Sequence, residues 1–118
     1  MRGLSENIRV RSILGRFLEH HRVWFFANAG SPDVWLASAD WMGRNLFRRI
    51  EVAFPVRDIV LRKRVVEEGL SACLADNIDA WGLKPDGRWV KLAPRRRAQP
   101  RSAQQTLLEA MREPEESR

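Results

Sequence analysis

The sequence predicts an α/β fold: a mixed β-sheet of about four to five strands packed against one long amphipathic helix, finished by a C-terminal hairpin and helix. Three observations predict it. Apolar runs at Val23–Phe26 and Val34–Ala37 flank the turn-forming cluster Ala29-Gly-Ser-Pro-Asp33, as two strands around a short connection require. Between Asp58 and Gly82, Ile59, Val66, Leu70, Cys73, Leu74, Ile78 and Trp81 recur at helical spacing. Pro85-Asp-Gly87 then separates two short segments, which is the signal of a small hairpin.

Ile8 and Val10 alternate with Arg9 and Arg11, the period of a short strand with its arginines on one face. Ser12 is a suitable helix N-cap for Ile13, Leu14, Phe17 and Leu18, and this helix is expected to end near His20-His21. Gly15 would weaken such a helix by roughly 1 kcal/mol relative to Ala, so a close neighbour is expected there. After the paired runs, Arg49–Phe54 alternates as a third core strand closed by Pro55. Asp58 caps the long helix and Gly82 supplies its stop. Cys73 falls on the apolar stripe and is expected to be a buried small hydrophobe. The second hairpin arm is Arg88–Leu92. Residues 93–101, APRRRAQPR, have no core pattern and are expected to form an exposed linker between a domain core at 1–92 and a C-terminal helix and tail at 102–118. Ser102-Ala-Gln-Gln105 matches a capping box, with Leu107, Leu108 and Met111 on one face behind it.

At 118 residues the chain is one domain at most, with a modest core. The single Cys makes no internal disulfide and no secretory leader pattern opens the sequence, so a cytoplasmic location is expected. No apolar run approaches membrane-spanning length. The formal net charge is +6, supplied mostly by arginine. Guanidinium groups bind phosphate bidentately and stay charged near pH 7, which suits a polyanionic partner, although a solvated basic surface accounts for the same composition.

Several chemistries are excluded by spacing. The two His are adjacent and no Cys or carboxylate cluster has ligand spacing, so no metal site is expected. A triad of Ser38, His20 and Asp40 lacks the Gly-x-Ser-x-Gly elbow, and no phosphate-cradling glycine loop is present. What remains is His20 near a junction of elements, Ser38 and Asp40 at a strand end, and Arg44, Arg48 and Arg49. An imidazole transfers a proton or attacks phosphorus at neutral pH, and guanidinium donors stabilise charge on phosphoryl oxygens, so these are parts for phosphoryl transfer. Each also has an ordinary explanation: a helix C-cap for His20, turn formation for Ser38 and Asp40, and surface charge partnered by Glu51 for the arginines.

Two runs resolve that choice by resemblance. Ser5-Glu-Asn-Ile-Arg-Val-Arg-Ser-Ile-Leu-Gly-Arg-Phe-Leu-Glu-His20 and Ser38-Ala-Asp-Trp-Met-Gly-Arg-Asn-Leu-Phe-Arg-Arg-Ile-Glu51 resemble the C-terminal domain of bacterial polyphosphate kinase. The likeness continues through the long helix, the Trp81–Trp89 hairpin and Gln104–Leu108. It implies a phospholipase D-like half domain. In the full enzyme two such domains pair, and the terminal phosphate of ATP, carried with Mg²⁺, moves to polyphosphate through a phosphohistidine.

By the same resemblance His20 matches the second active-site histidine, while the histidine that is phosphorylated lies in a preceding domain. His20-His-Arg22 and Ser38-Ala-Asp40 look like a variant of the phospholipase D pattern His-x-Lys and Gly-Ser-x-Asn, with Arg22 for Lys, Ala37 for Gly and Asp40 for Asn. The resemblance therefore implies His20 as catalytic, with Arg44, Arg48, Ser38 and Asp40 as phosphate-binding candidates. ATP and polyphosphate are the implied substrates, and the missing N-terminal part of the kinase and further copies of the chain are candidate partners. The nucleotide-contacting domain and the magnesium-contacting arginines are outside this sequence, so no cofactor is expected on this chain alone and no synthesis by it. Two other classes compete. A non-catalytic basic module would use Arg95, Arg96, Arg97 and Arg101 to hold polyphosphate or nucleic acid, with steep salt dependence, though nucleic acid is the less expected ligand. A homodimeric phospholipase D-like phosphodiesterase would complete its single motif across a two-fold axis.

Overall fold

The computed structural model describes residues 3–112. Its α/β class is the one expected, with six strands among the described residues, and these form two antiparallel three-stranded sheets. The chain divides into two compact units, Glu19–Ser71 and a second made from Met1–Leu18 with Ala72–Arg118.

In the Glu19–Ser71 unit, strands β2 (Val23–Phe26) and β3 (Asp33–Ala37) form the expected hairpin, with Trp24 opposite Trp35. Its connection holds Asn28, Ala29 and Gly30 at positive φ, a conformation that only glycine adopts freely. Strand β4 (Ala53–Pro55) pairs with β3. It is shorter than the expected third strand, and Pro55 lies within it, as edge strands permit. Val34 on the central strand is 1% exposed and anchors this sheet. Helix α1 (Gly43–Arg48) follows β3, and α2 (Ile59–Val66) opens with Asp58 accepting the Leu61 N–H at 2.9 Å, as a capping carboxylate should. A π-helical turn, Glu67–Ser71, continues α2. A Cβ on Gly69 would lie 3.0 Å from Val23 Cγ2, a tight contact that glycine avoids where this turn approaches β2.

In the other unit, β1 (Arg11–Ile13), β5 (Ala80–Leu83) and β6 (Trp89–Lys91) form a sheet with β5 central. The hairpin between β5 and β6 turns at Gly87, φ 86°, as its sequence predicted. Short α3 (Ala72–Ala75) precedes β5, and α4 (Ala103–Ala110) opens at Ser102, whose hydroxyl accepts the Gln105 N–H. The Gln105 side chain donates through Nε2 to Glu109 at 2.7 Å, one turn along the helix. Ala103 and Gln104 are the residues this helix buries, while Met111 is exposed.

Three expectations fail here. The helix expected from Ser12 does not form: Ser12 pairs with Trp81 in β1, and the Gln104 side chain engages both the N–H and the carbonyl of Phe17, at 2.9 and 2.7 Å. Those bonds replace a helical ladder. The close neighbour expected at Gly15 is present, since a Cβ there would lie 2.6 Å from Gln104 Cδ. The long helix ends at Ala75, not Gly82. Buried Asp76 breaks it by accepting the N–H groups of Ile78, Asp79 and Ala80 through Oδ1 and that of Ala103 through Oδ2. Arg11 adds a cap from the side, donating to the Leu74 and Asp76 carbonyls. Gly82 therefore pairs with Arg11 and Val90 in β5. Nor is the helix stripe a core: Ile59, Leu74 and Ile78 are exposed, and Cys73 is half-buried. Residues 93–101 carry no regular element, yet Asn77 fastens their end by bonds to Gln99 and Arg101. The tail from 113 lies outside the described residues.

Candidate functional site

The sequence-predicted residues that come together lie at the start of β2, the end of β3 and the first turn of α1. His20 stands exposed in an irregular segment, two residues before the half-buried Arg22. Its helix C-cap reading fails, since no helix precedes it. Arg22 Nη1 donates to the His20 carbonyl at 2.9 Å, and Arg22 Nε donates to Asp40 Oδ1 at 2.7 Å. That hydrogen bond, with the charges of Arg22, Arg44 and His20 adding to it, holds the Asp40 carboxyl below the usual carboxylate range. Asp40 is thus an anion at neutral pH, and of the arginines Arg44, Arg48 and Arg49 only Arg44 acts on it.

Asp40, Arg22, His21, Trp24, Trp41 and Leu70 line a concavity of about 330 Å³ beside this cluster. The Trp24 and Trp41 rings meet with centroids 6.0 Å apart and tilted by 51°. Such a wall is apolar on one side and ionic on the other. It can receive a ligand with a charged end toward Arg22 and an apolar part against the rings.

Ser38 occupies a different network. Its hydroxyl donates to Glu51 Oε2 at 2.6 Å and accepts the Val52 N–H at 3.0 Å. Glu51 Oε1 accepts from Asn45 Nδ2 at 2.9 Å, and Asn45 is only 4% exposed. Glu51 is therefore engaged by Ser38 and Asn45, not by the arginines that sequence reasoning had partnered with it. Arg44 and Arg48 lie one turn apart on α1, both exposed. Of these two, Arg44 acts on Asp40. Sequence reasoning missed Asn45 and Glu51 as the brace of this strand end. It also missed that Arg22 and Asp40 bond each other. The signal for that pairing was present, because both depart together from the same two-part motif.

Comparison with known proteins decides the family. The sequence profile described as polyphosphate kinase C-terminal domain 2 matches residues 1–104. This chain belongs to that family. Relatives include the polyphosphate kinase of Burkholderia lata, 64% identical over 87 residues, which are 74% of this chain and 13% of that protein. The polyphosphate kinase of Paraburkholderia phytofirmans is 55% identical over 106 residues, 90% of this chain and 15% of that protein. Among solved structures, polyphosphate kinase from Porphyromonas gingivalis superposes with a TM-score of 0.82 at 37% identity, covering 90% of this chain and 16% of that one. The polyphosphate kinase C-terminal domain here thus spans about one seventh of the length of the relatives it matches. The matched region contains His20, Arg22, Ser38, Asp40 and α1 whole.

Proposed function

We propose that this chain supplies the C-terminal share of a polyphosphate kinase site, which moves the terminal phosphate of ATP to polyphosphate. The observation that carries the proposal is the exposed His20, whose carbonyl accepts from Arg22 and whose charge, with that of Arg44, acts on Asp40, in a domain of this family. His20 acts there as a proton donor or acceptor toward the phosphoryl oxygen, a task its ring suits near neutral pH. Arg44 and Arg48 receive the charge of the phosphate chain, as exposed guanidinium groups on one helix face can. Ser38 and Asp40 enter as neighbours of that cleft whose own polar groups are engaged by Glu51 and Arg22.

Mg²⁺ enters this proposal only with the nucleotide. Among the described residues no group of three or more His, Cys, Asp or Glu could hold a metal, and magnesium in nucleotide sites is held largely by phosphate oxygens and water. No helix among them is long and apolar enough to cross a membrane, and a cytoplasmic setting belongs to the proposal. The partner is the remainder of a polyphosphate kinase, which contributes the phosphohistidine and the nucleotide contacts.

The test supplies that remainder in trans with ATP and Mg²⁺. Synthesis is expected with the unaltered chain, and a loss of at least about a hundredfold with His20→Ala, the scale of a removed acid-base group. No synthesis is expected from the chain alone. Equal synthesis with His20→Ala removes His20 from the mechanism.

A further inference from the structure

The irregular backbone at His20 raises a physical question. A histidine that must meet a phosphoryl group within hydrogen-bond reach needs a fixed main chain, yet no helix or strand contains residue 20. Arg22 answers it. Its own main chain is held by β3, since Ala37 N–H donates to the Arg22 carbonyl at 3.1 Å. From that anchored position one guanidinium edge reaches back to the His20 carbonyl while Nε reaches across to Asp40.

We infer that Arg22 and Asp40 are positioning residues, a two-armed strap that fixes the backbone at His20 and thereby aims its imidazole. Asp40 does this as an anion. A carboxylate held ionised repels phosphate oxygens, so direct phosphate contact is a poor use of it, whereas orienting a guanidinium is a good one. Lysine at residue 22 would carry its donors on one rotatable nitrogen at the end of a flexible stem, and so would not hold the carbonyl and the carboxylate along two set directions as the planar fork does. The strap gives both motif departures one role in this chain, since the Arg22 guanidinium and the Asp40 carboxylate bond each other. The inference rests on the proposed function only for its kinetic readout.

Two measurements test it separately. In the unaltered isolated chain, NMR should show an Arg22 Nε–H protected from solvent exchange, and its signal should move in Asp40→Asn. The His20 carbonyl carbon should shift upfield in Arg22→Lys, in step with the loss of an accepted hydrogen bond. An unprotected Nε–H, or a carbonyl shift unchanged in Arg22→Lys, overturns the strap whether or not the chain supports synthesis. In the reconstituted reaction, Arg22→Lys and Asp40→Asn should each lower kcat by about tenfold to a hundredfold, the cost of a reacting group displaced by a fraction of an ångström to an ångström. KM for polyphosphate should stay within about twofold, and the double variant should be no worse than the poorer single one. Losses that multiply in the double variant, or that appear in KM, would show direct phosphate binding by either residue. Failure of the unaltered chain to support synthesis would instead strike the proposed function, leaving the NMR result to decide the strap.

Discussion

Replacing Asp76 should be the most damaging single change in the unit that contains it. Asp76 is 1% exposed and accepts four main-chain N–H groups, at 3.0, 2.8 and 3.0 Å on Oδ1 and 2.7 Å on Oδ2. The bonds from Ala80 and Ala103 are buried, and those from Ile78 and Asp79 lie nearer solvent. Asp76→Ala lets water replace the carboxylate at the outer two. It strands the inner two, at about 1–3 kcal/mol each. Relief of the carboxylate's own desolvation offsets part of that, so a net loss of about 3–5 kcal/mol is expected. Asp76→Asn keeps an oxygen for the Oδ1 bonds but turns an amide N–H toward the Ala103 N–H, for a loss of about 2 kcal/mol. Against a total stability of about 5–15 kcal/mol, the alanine variant should lose a large share of what keeps the unit folded. Urea unfolding followed by the fluorescence of Trp81 and Trp89, which lie in the same unit, reads both losses. An alanine variant within about 1 kcal/mol of the parent, or an asparagine variant worse than alanine, would refute the reasoning.

Gly15→Ala separates the helical reading of that segment from the observed one by sign. A helix would gain about 1 kcal/mol from the change. Here the new methyl meets Gln104 Cδ at 2.6 Å and Nε2 at 2.9 Å, on a side chain only 7% exposed and bonded twice to Phe17, so a loss of about 1–3 kcal/mol in urea unfolding is expected. Glu51→Ala removes the acceptor of both Ser38 and Asn45. Because Asn45 Oδ1 is already without a partner, the whole buried amide is then stranded, and a thermal unfolding scan should show a loss of about 1–3 kcal/mol, with Glu51→Gln intermediate. An alanine variant as stable as the parent would mean that Glu51 does not brace the strand end.

Local chemistry was legible where the determinant sits within a few residues of its effect. The β2–β3 hairpin, the Asp58 and Ser102 caps and the Gly87 turn follow from turn formers and capping side chains acting on their own neighbours. The two long runs that resemble polyphosphate kinase carried the family, and His20, Arg22 and Asp40 could be picked out by their place in a two-part motif. What bonds what within that site was not legible. Arg22 meets Asp40 across 18 residues, and Ser38 meets Glu51 across 13, and neither separation is set by an element's period.

The helix boundaries show the same division more sharply. Apolar spacing alone carried the long helix through Ile78 and Trp81 to Gly82, and it cannot register a carboxylate that offers better bonds to the backbone than the next helical turn does. Likewise nothing near Phe17 announces that Gln104, 87 residues away, will take its backbone bonds. The sequence by itself determined the turns, the caps, the family and the cast of the candidate site. Only the tertiary structure decided where the long helix stops, that no helix forms from Ser12, and which partner each polar group takes, because a backbone N–H or carbonyl goes to the best acceptor or donor in space, however distant along the chain.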